Sequence, residues 1–105
     1  MSQMSATRFV HFATVESESR PGVTYEVKQD TQTGLLSCSC PSWRFKHEPT
    51  NERVCKHIRP LLDRAGADYS PASIARLNKL REQISPQTNF RNETDLQKAV
   101  LEAML

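Results

Sequence analysis

Three cysteines and one histidine occur at a spacing that constrains the fold more than any other feature of the sequence. Cys38 and Cys40 are separated by one residue, fourteen residues follow, and Cys55 and His57 are again separated by one residue. Structural metal sites take four sulfur or nitrogen ligands in a tetrahedron. A chain of 105 residues buries only a modest core, and a metal cross-link of this kind would stabilise it. The pattern predicts one zinc ion held by these four side chains.

The four predicted ligands complete a coordination shell, which indicates what kind of metal site they form. Three thiolates and one imidazole fill a tetrahedral shell and leave no position for water, so the site is expected to be structural rather than catalytic. Three alternatives stay open at this point. Cys38 and Cys40 could form a redox pair, His47 could replace His57 as a ligand, or Cys55 could be an isolated buried thiol.

The compartment expected for the chain agrees with metal binding. No stretch approaches the roughly 18 apolar residues of a membrane span, and the first ten residues lack the layout of a signal peptide. We therefore expect a cytoplasmic or nucleoid-associated protein without a membrane partner. Thiols are kept reduced there, which favours metal binding over disulfides.

The first half of the chain carries strand patterns. Residues 1–7 are small and polar and are expected to be disordered. Strands are predicted over Arg8–Val15, Val23–Lys28 and Leu35–Cys40, with turns between them, and a loop over Pro41–Val54. These elements would form a β-hairpin or a three-stranded antiparallel sheet.

Helical periodicity begins after the second ligand pair. Because residues i and i+2 inside a helix point about 200° apart, Cys55 and His57 must precede the helix. Pro60 agrees, since proline is tolerated in a first turn, so the helix should begin between His57 and Arg59 and end before Gly66. Its apolar stripe is Ile58, Leu61, Leu62 and Ala65.

Two further helices are predicted in the last third, which makes the fold class α+β with two or three helices. Ser70 and Pro71 form an N-cap and a first helical residue, and Pro86 ends that helix. Thr94 and Gln97 match a capping box for the last helix. The apolar faces comprise Ile74, Leu77, Leu80 and Ile84 in one helix, and Leu96, Val100, Ala103 and Met104 in the other.

The segment TYEVKQDTQTGLLSCSCPSWRFKHEPTNERVCKHIRPLL resembles a SWIM-type zinc finger, a family marked by Cys-x-Cys, a variable gap and Cys-x-His. Pro41, Trp43 and the apolar helix after His57 also resemble the family, while Pro60 departs from it. The resemblance implies a zinc-binding ββα domain, here residues 8–66, with residues 67–105 as a helical C-terminal extension. It also implies roles in DNA binding and protein–protein contact.

Positive charge is concentrated around the second ligand pair. The net charge is only +2, but residues 53–81 hold seven Lys or Arg against Asp63 and Asp68. Cations beside the aromatic Phe45 suit phosphate contact and base stacking, and the alternative is that they solvate polar faces. The candidate nucleic-acid-binding residues are Arg44, Lys46, Arg53, Lys56, Arg59 and Arg64.

These features favour a small zinc-stabilised DNA-binding protein. The alternative is an adaptor in which the zinc finger is a scaffold and the C-terminal helices dock a protein partner. Residues 92–105 are rich in apolar side chains, which would pack on the core, dock a partner or form a homo-oligomer. No nucleophile–base pair or phosphate loop stands out, so we expect a binding protein rather than an enzyme.

Overall fold

The computed structural model describes residues 8–17, 19–49, 52–86 and 89–104. A three-stranded antiparallel sheet is followed by helices, which confirms the predicted α+β class. The prediction for residues 1–7 lies outside the described part of the chain.

Three strands form the sheet, with the second in the centre: β1 (Phe9–Glu16), β2 (Thr24–Asp30) and β3 (Leu36–Cys38). Alternating apolar residues place one face of the sheet on the core. The pairing of β1 with β2 shifts between His11 and Ala13, and Phe12 at that bulge is fully buried. The third strand was predicted to reach Cys40, but it ends at Cys38.

A tight turn joins β2 to β3 and is held at both ends. Asp30 accepts hydrogen bonds from the backbone N–H of Gln32 at 2.8 Å and from Arg8, whose Nη2 lies 2.9 Å from Oδ2. The hydrogen bond from Arg8 holds the pKa of Asp30 below its usual range. Gly34 has φ +80 and packs so closely on Ile74 that a Cβ would lie 2.8 Å from Cγ1. The turn therefore needs glycine for both its conformation and its packing.

The described residues after the sheet form four helices: α1 (Pro41–Arg44), α2 (Arg59–Ala65), α3 (Pro71–Ile84) and α4 (Glu93–Glu102). The predicted start and end of α2 are confirmed. The segment predicted as a loop over Pro41–Val54 instead begins with the short helix α1. Cys40 is extended and Pro41 takes a first helical position, where a fixed φ and a missing N–H favour helix initiation.

The helix caps were predicted correctly in one case and wrongly in another. Ser70 caps α3, because its Oγ accepts a hydrogen bond from the Ser73 N–H at 3.2 Å. The cap of α4 is Asn92 rather than Thr94, since the Asn92 Oδ1 accepts from the Asp95 N–H at 2.8 Å. Asparagine is among the best N-cap residues, and its position starts the helix at Glu93.

The sheet and the three longer helices share one hydrophobic core. Buried side chains come from β1 (Phe12, Val15), α2 (Leu61), α3 (Leu77) and α4 (Leu96), among others. The predicted apolar face of α4 is correct for Leu96, Val100 and Ala103 but wrong for Met104, which is 83% exposed because the helix ends at Glu102. Within the described residues no helix is long and apolar enough to cross a membrane.

Candidate metal centre

The first ligand pair stands where β3 passes into α1. Cys38 is the last residue of β3 and pairs with Val27 in the central strand. Cys40 is extended, and its carbonyl accepts from the N–H groups of Trp43 and Arg44 at 3.1 and 3.0 Å. The start of α1 thus turns the chain at Cys40 and leaves both thiols on the same side of the sheet's end.

The second pair lies in the tight turn that leads into α2. The Cys55 carbonyl accepts from the N–H groups of Ile58 and Arg59 at 3.1 and 2.9 Å. This turn holds Cys55 and His57 ahead of the regular helix, as the spacing predicts. The Tyr25 ring of β2 packs on the His57 ring, with centroids 5.5 Å apart. The imidazole is therefore oriented by the sheet as well as by its own turn.

The four donor atoms converge on one buried point. The Cys38 and Cys55 sulfurs lie 3.6 and 4.0 Å from the His57 Nδ1, and no two donor atoms of the four residues are more than 4.8 Å apart. Tetrahedral coordination with bonds of about 2.0–2.3 Å separates neighbouring donors by about 3.3–3.8 Å. The cluster is close to that spacing, and all four residues are buried. These residues can hold one metal ion.

Without a metal, the crowded donors compete for protons. Hydrogen bonds with the sulfurs of Cys40 and Cys55, together with burial, raise the pKa of the Cys38 thiol. The contacts with Cys38 and Cys55 lower the pKa of Cys40 by stabilising its thiolate. Burial alone would lower the pKa of His57, but hydrogen bonds to Cys40 and Cys55 outweigh it and raise that pKa to about 9. A divalent cation would relieve this crowding of buried thiolate and imidazolium.

The structure also shows the state of the cysteines and the positions of the other two histidines. All three cysteines are free thiols. His47 is exposed in the segment after α1 and is not part of the cluster. His11 lies on β1, where its Nδ1 is 3.0 Å from the Glu26 Oε2. The cluster in the described residues therefore uses His57.

The six candidate cationic residues do not form one patch. Arg53 is engaged internally, because its guanidinium lies 4.9 Å from the Trp43 ring centroid and donates to the Glu48 carbonyl at 2.7 Å. Arg64 donates to the carbonyl of Ala103 at the end of α4. Both side chains brace the fold around the site, a role that sequence alone did not indicate.

The remaining four cations lie in two places, two next to Phe45 and two at a groove. Arg44 and Lys46 flank Phe45, which is 72% exposed, and the Arg44 guanidinium lies 5.8 Å from the Phe45 ring centroid. Lys56 and Arg59 face a groove between α2 and α4. The sequence could not reveal this groove, because Val54 and Leu101 on its two sides are far apart in the chain.

Comparisons of this chain with protein-family models, with curated proteins and with solved structures find no significant match.

Proposed function

We propose that the cluster holds one structural zinc ion and that the protein is a SWIM-type zinc-binding module that binds nucleic acid, DNA in the first instance. It would act in the cytoplasm or at the nucleoid. The ion would tie the sheet to α2 and hold the segment between the two ligand pairs as a rigid loop. That loop would carry the residues that contact nucleic acid.

The choice of zinc rests on the donor set. Three thiolates and one imidazole are soft and borderline donors that suit zinc, whereas hard cations prefer oxygen ligands. The buried cluster has four donors at near-tetrahedral spacing, which matches a closed structural site. When bound, zinc would supply folding free energy rather than an activated water.

Metal analysis of the purified, reduced protein tests this assignment. We expect one zinc per chain, lost in Cys55→Ser because a ligand is removed. The matched control His47→Ala changes an exposed histidine outside the cluster and should keep its zinc. A protein without stoichiometric metal, or one that keeps its metal after Cys55→Ser, would contradict the assignment.

One observation carries the nucleic-acid proposal: the exposed Phe45 ring between two cations. The Phe45 ring is 72% exposed. Arg44 beside it is in none of the ion pairs among the described residues, whereas Arg8 beside the exposed Phe9 is paired with Asp30. Bases stack on such rings, and adjacent cations neutralise phosphates. Arg44 and Lys46 supply these charges. Lys56 and Arg59 would add phosphate contacts, since the ion pairs among the described residues include neither of them.

Fluorescence anisotropy with single-stranded DNA, duplex DNA and single-stranded RNA tests the proposal. We expect salt-dependent binding that Phe45→Ala weakens by about 5- to 150-fold, as loss of one stacked base at about 1–3 kcal/mol implies. Phe9→Ala is the matched control, because Phe9 is also exposed and also lies beside an arginine, Arg8. No binding at low salt, or equal effects of the two substitutions, would contradict the proposal.

An adaptor function is the second candidate, and a specific observation favours it. Leu101 and Met104 at the end of α4 are 75% and 83% exposed. Such side chains suit contact with another protein or with a second copy through residues 92–105.

A further inference from the structure

A groove lies beside the metal centre, between the turn that carries Cys55, the exposed side of α2, and α4. It encloses about 720 Å³. Its apolar part is formed by Val54, Pro60, Val100 and Leu101. Val100 is buried while Leu101 is largely exposed, so the groove has a closed aliphatic floor and an open aliphatic edge. This shape can receive apolar side chains from outside the molecule.

The rim of the groove is positively charged. Lys56, Arg59 and Arg64 line it, and Asp63 is the one acidic residue among the described residues that line it. Arg64 is held in place by the Ala103 carbonyl. Lys56 and Arg59 are exposed, and the ion pairs among the described residues do not use them. Two cations thus remain available beside an aliphatic surface.

We infer that this groove binds an acidic amphipathic peptide segment of another protein. Apolar side chains of that segment would pack on Val54, Pro60 and Leu101, and its carboxylates would pair with Lys56 and Arg59. Charge complementarity selects this occupant, because an aliphatic floor with a cationic rim matches apolar residues interspersed with Asp or Glu.

A nucleic acid fits the groove less well. None of the described residues that line the groove is aromatic, so they offer no ring on which a base can stack. The exposed Phe45, which carries the proposed nucleic-acid contact, does not line the groove. Peptide binding here therefore goes beyond the proposed function, and the two share only Lys56 and Arg59.

Selection from a random peptide library on the zinc-loaded protein, followed by anisotropy with the enriched synthetic peptide, tests the inference. We expect enrichment of sequences that combine aliphatic residues with Asp and Glu. Leu101→Asp and Arg59→Glu should each weaken binding by about tenfold or more, because each places a negative charge against the acidic peptide. Both changes affect exposed side chains, and zinc content should confirm that each variant is folded.

Matched control variants test whether peptide affinity depends on the groove rather than on other exposed surfaces. Met104→Asp introduces the same charge at an exposed apolar residue that does not line the groove, and Lys79→Glu reverses an exposed charge on α3. Both should leave peptide affinity within about twofold. Phe45→Ala should also leave it unchanged, while it weakens nucleic-acid binding under the proposed function. The two proposals can therefore fail separately.

Several results would overturn the inference. These are no enrichment, enrichment of basic or uncharged peptides, or peptide binding that Leu101→Asp leaves intact. Nucleic-acid binding abolished by Leu101→Asp would assign the groove to nucleic acid. A dimer detected by light scattering and dissolved by Leu101→Asp would make a second copy the occupant.

Discussion

Single residues at the ends of elements decide the geometry of the candidate metal centre. Cys38 ends a strand, Cys40 precedes α1, and Cys55 and His57 stand in the turn before α2. None of the four lies inside a helix, where neighbouring donors would diverge. Each ligand is therefore oriented by a backbone turn, and the contact of Tyr25 with His57 adds a constraint from the sheet.

The protonation of the metal-free ligands predicts how metal affinity depends on pH. The raised pKa of Cys38 and the pKa of about 9 of His57 mean that both carry protons at pH 7. Metal binding must release these protons, so affinity falls as pH falls and rises through the range up to about 9. Thiols of an unfolded chain have a pKa of about 8.5. They are also protonated at pH 7, so metal affinity would again rise with pH.

Competition with a chromophoric chelator across a pH series measures this effect. We expect the apparent Kd for zinc to fall by about tenfold or more per pH unit between pH 6 and 8, because at least one proton leaves per metal bound. A Kd that is constant over this range would contradict the protonation states described above.

Gly34 is a single residue whose conformation and packing affect the stability of the fold. In Gly34→Ala the new Cβ would lie within 3 Å of Ile74, at a backbone φ of +80. Left-handed strain of about 1–2 kcal/mol and overpacking of about 1–3 kcal/mol should together lower the free energy of unfolding by about 2–5 kcal/mol. Urea denaturation of the metal-loaded protein measures this.

Gly22→Ala provides the control for that measurement. Gly22 has φ +85, but a Cβ there would meet nothing within 4 Å. Only the strain of about 1–2 kcal/mol should appear. Equal losses in the two variants would mean that the contact between Gly34 and Ile74 carries no energetic weight.

At the scale of elements, helix ends are determined by caps that the local sequence supplies. Ser70 and Pro71 start α3, and Asn92 starts α4. The capping box at Thr94 was predicted because its spacing fits, but Asn92 lies two residues earlier and closes the hydrogen bond to Asp95 instead. Asn92 has the extended backbone of an N-cap residue, whereas Thr94 already lies inside the helix.

Substitution of the two candidate caps distinguishes them. Asn92→Ala removes the acceptor for the Asp95 N–H and should cost about 1 kcal/mol. In a domain of this size that cost lowers Tm by about 4–8 °C. Thr94→Ala should change Tm by much less, because it leaves that hydrogen bond intact. A larger decrease in Tm for Thr94→Ala than for Asn92→Ala would show that Thr94 rather than Asn92 caps α4.

At the scale of the whole molecule, the metal centre and the C-terminal helices belong to one structure. The buried residues of α2, α3 and α4 form a single cluster with the sheet and with the three cysteines. Arg64 also joins α2 to the end of α4. Loss of the centre should therefore disturb α3 and α4, although both lie outside the segment that resembles a SWIM finger.

Removal of the metal by a chelator tests whether α3 and α4 depend on the metal centre. Structural zinc contributes an apparent free energy of about 10–16 kcal/mol in zinc-finger peptides, and domains have a total stability of about 5–15 kcal/mol. Removal of the metal should thus unfold the chain, including α3 and α4. Circular dichroism should show most of the helical signal lost and then restored by zinc. Retention of that signal under chelation would show that the helices fold independently of the metal.

The sequence alone determined the features that depend on short-range spacing. The Cys-x-Cys and Cys-x-His pairs, the apolar periodicities of the strands and helices, and the Ser70 cap all lie within a few residues. Backbone geometry converts such spacings directly into local structure, so the α+β class and the four clustered residues could be predicted.

Only the tertiary structure decided which charges are available for binding and where the binding surfaces lie. Arg53 and Arg64 looked equivalent to Arg59 in the sequence, yet both are engaged by internal contacts. The groove joins Val54 to Leu101 across α2 and α4. These properties depend on contacts between residues distant in the chain, which form when the core packs and which no local pattern encodes.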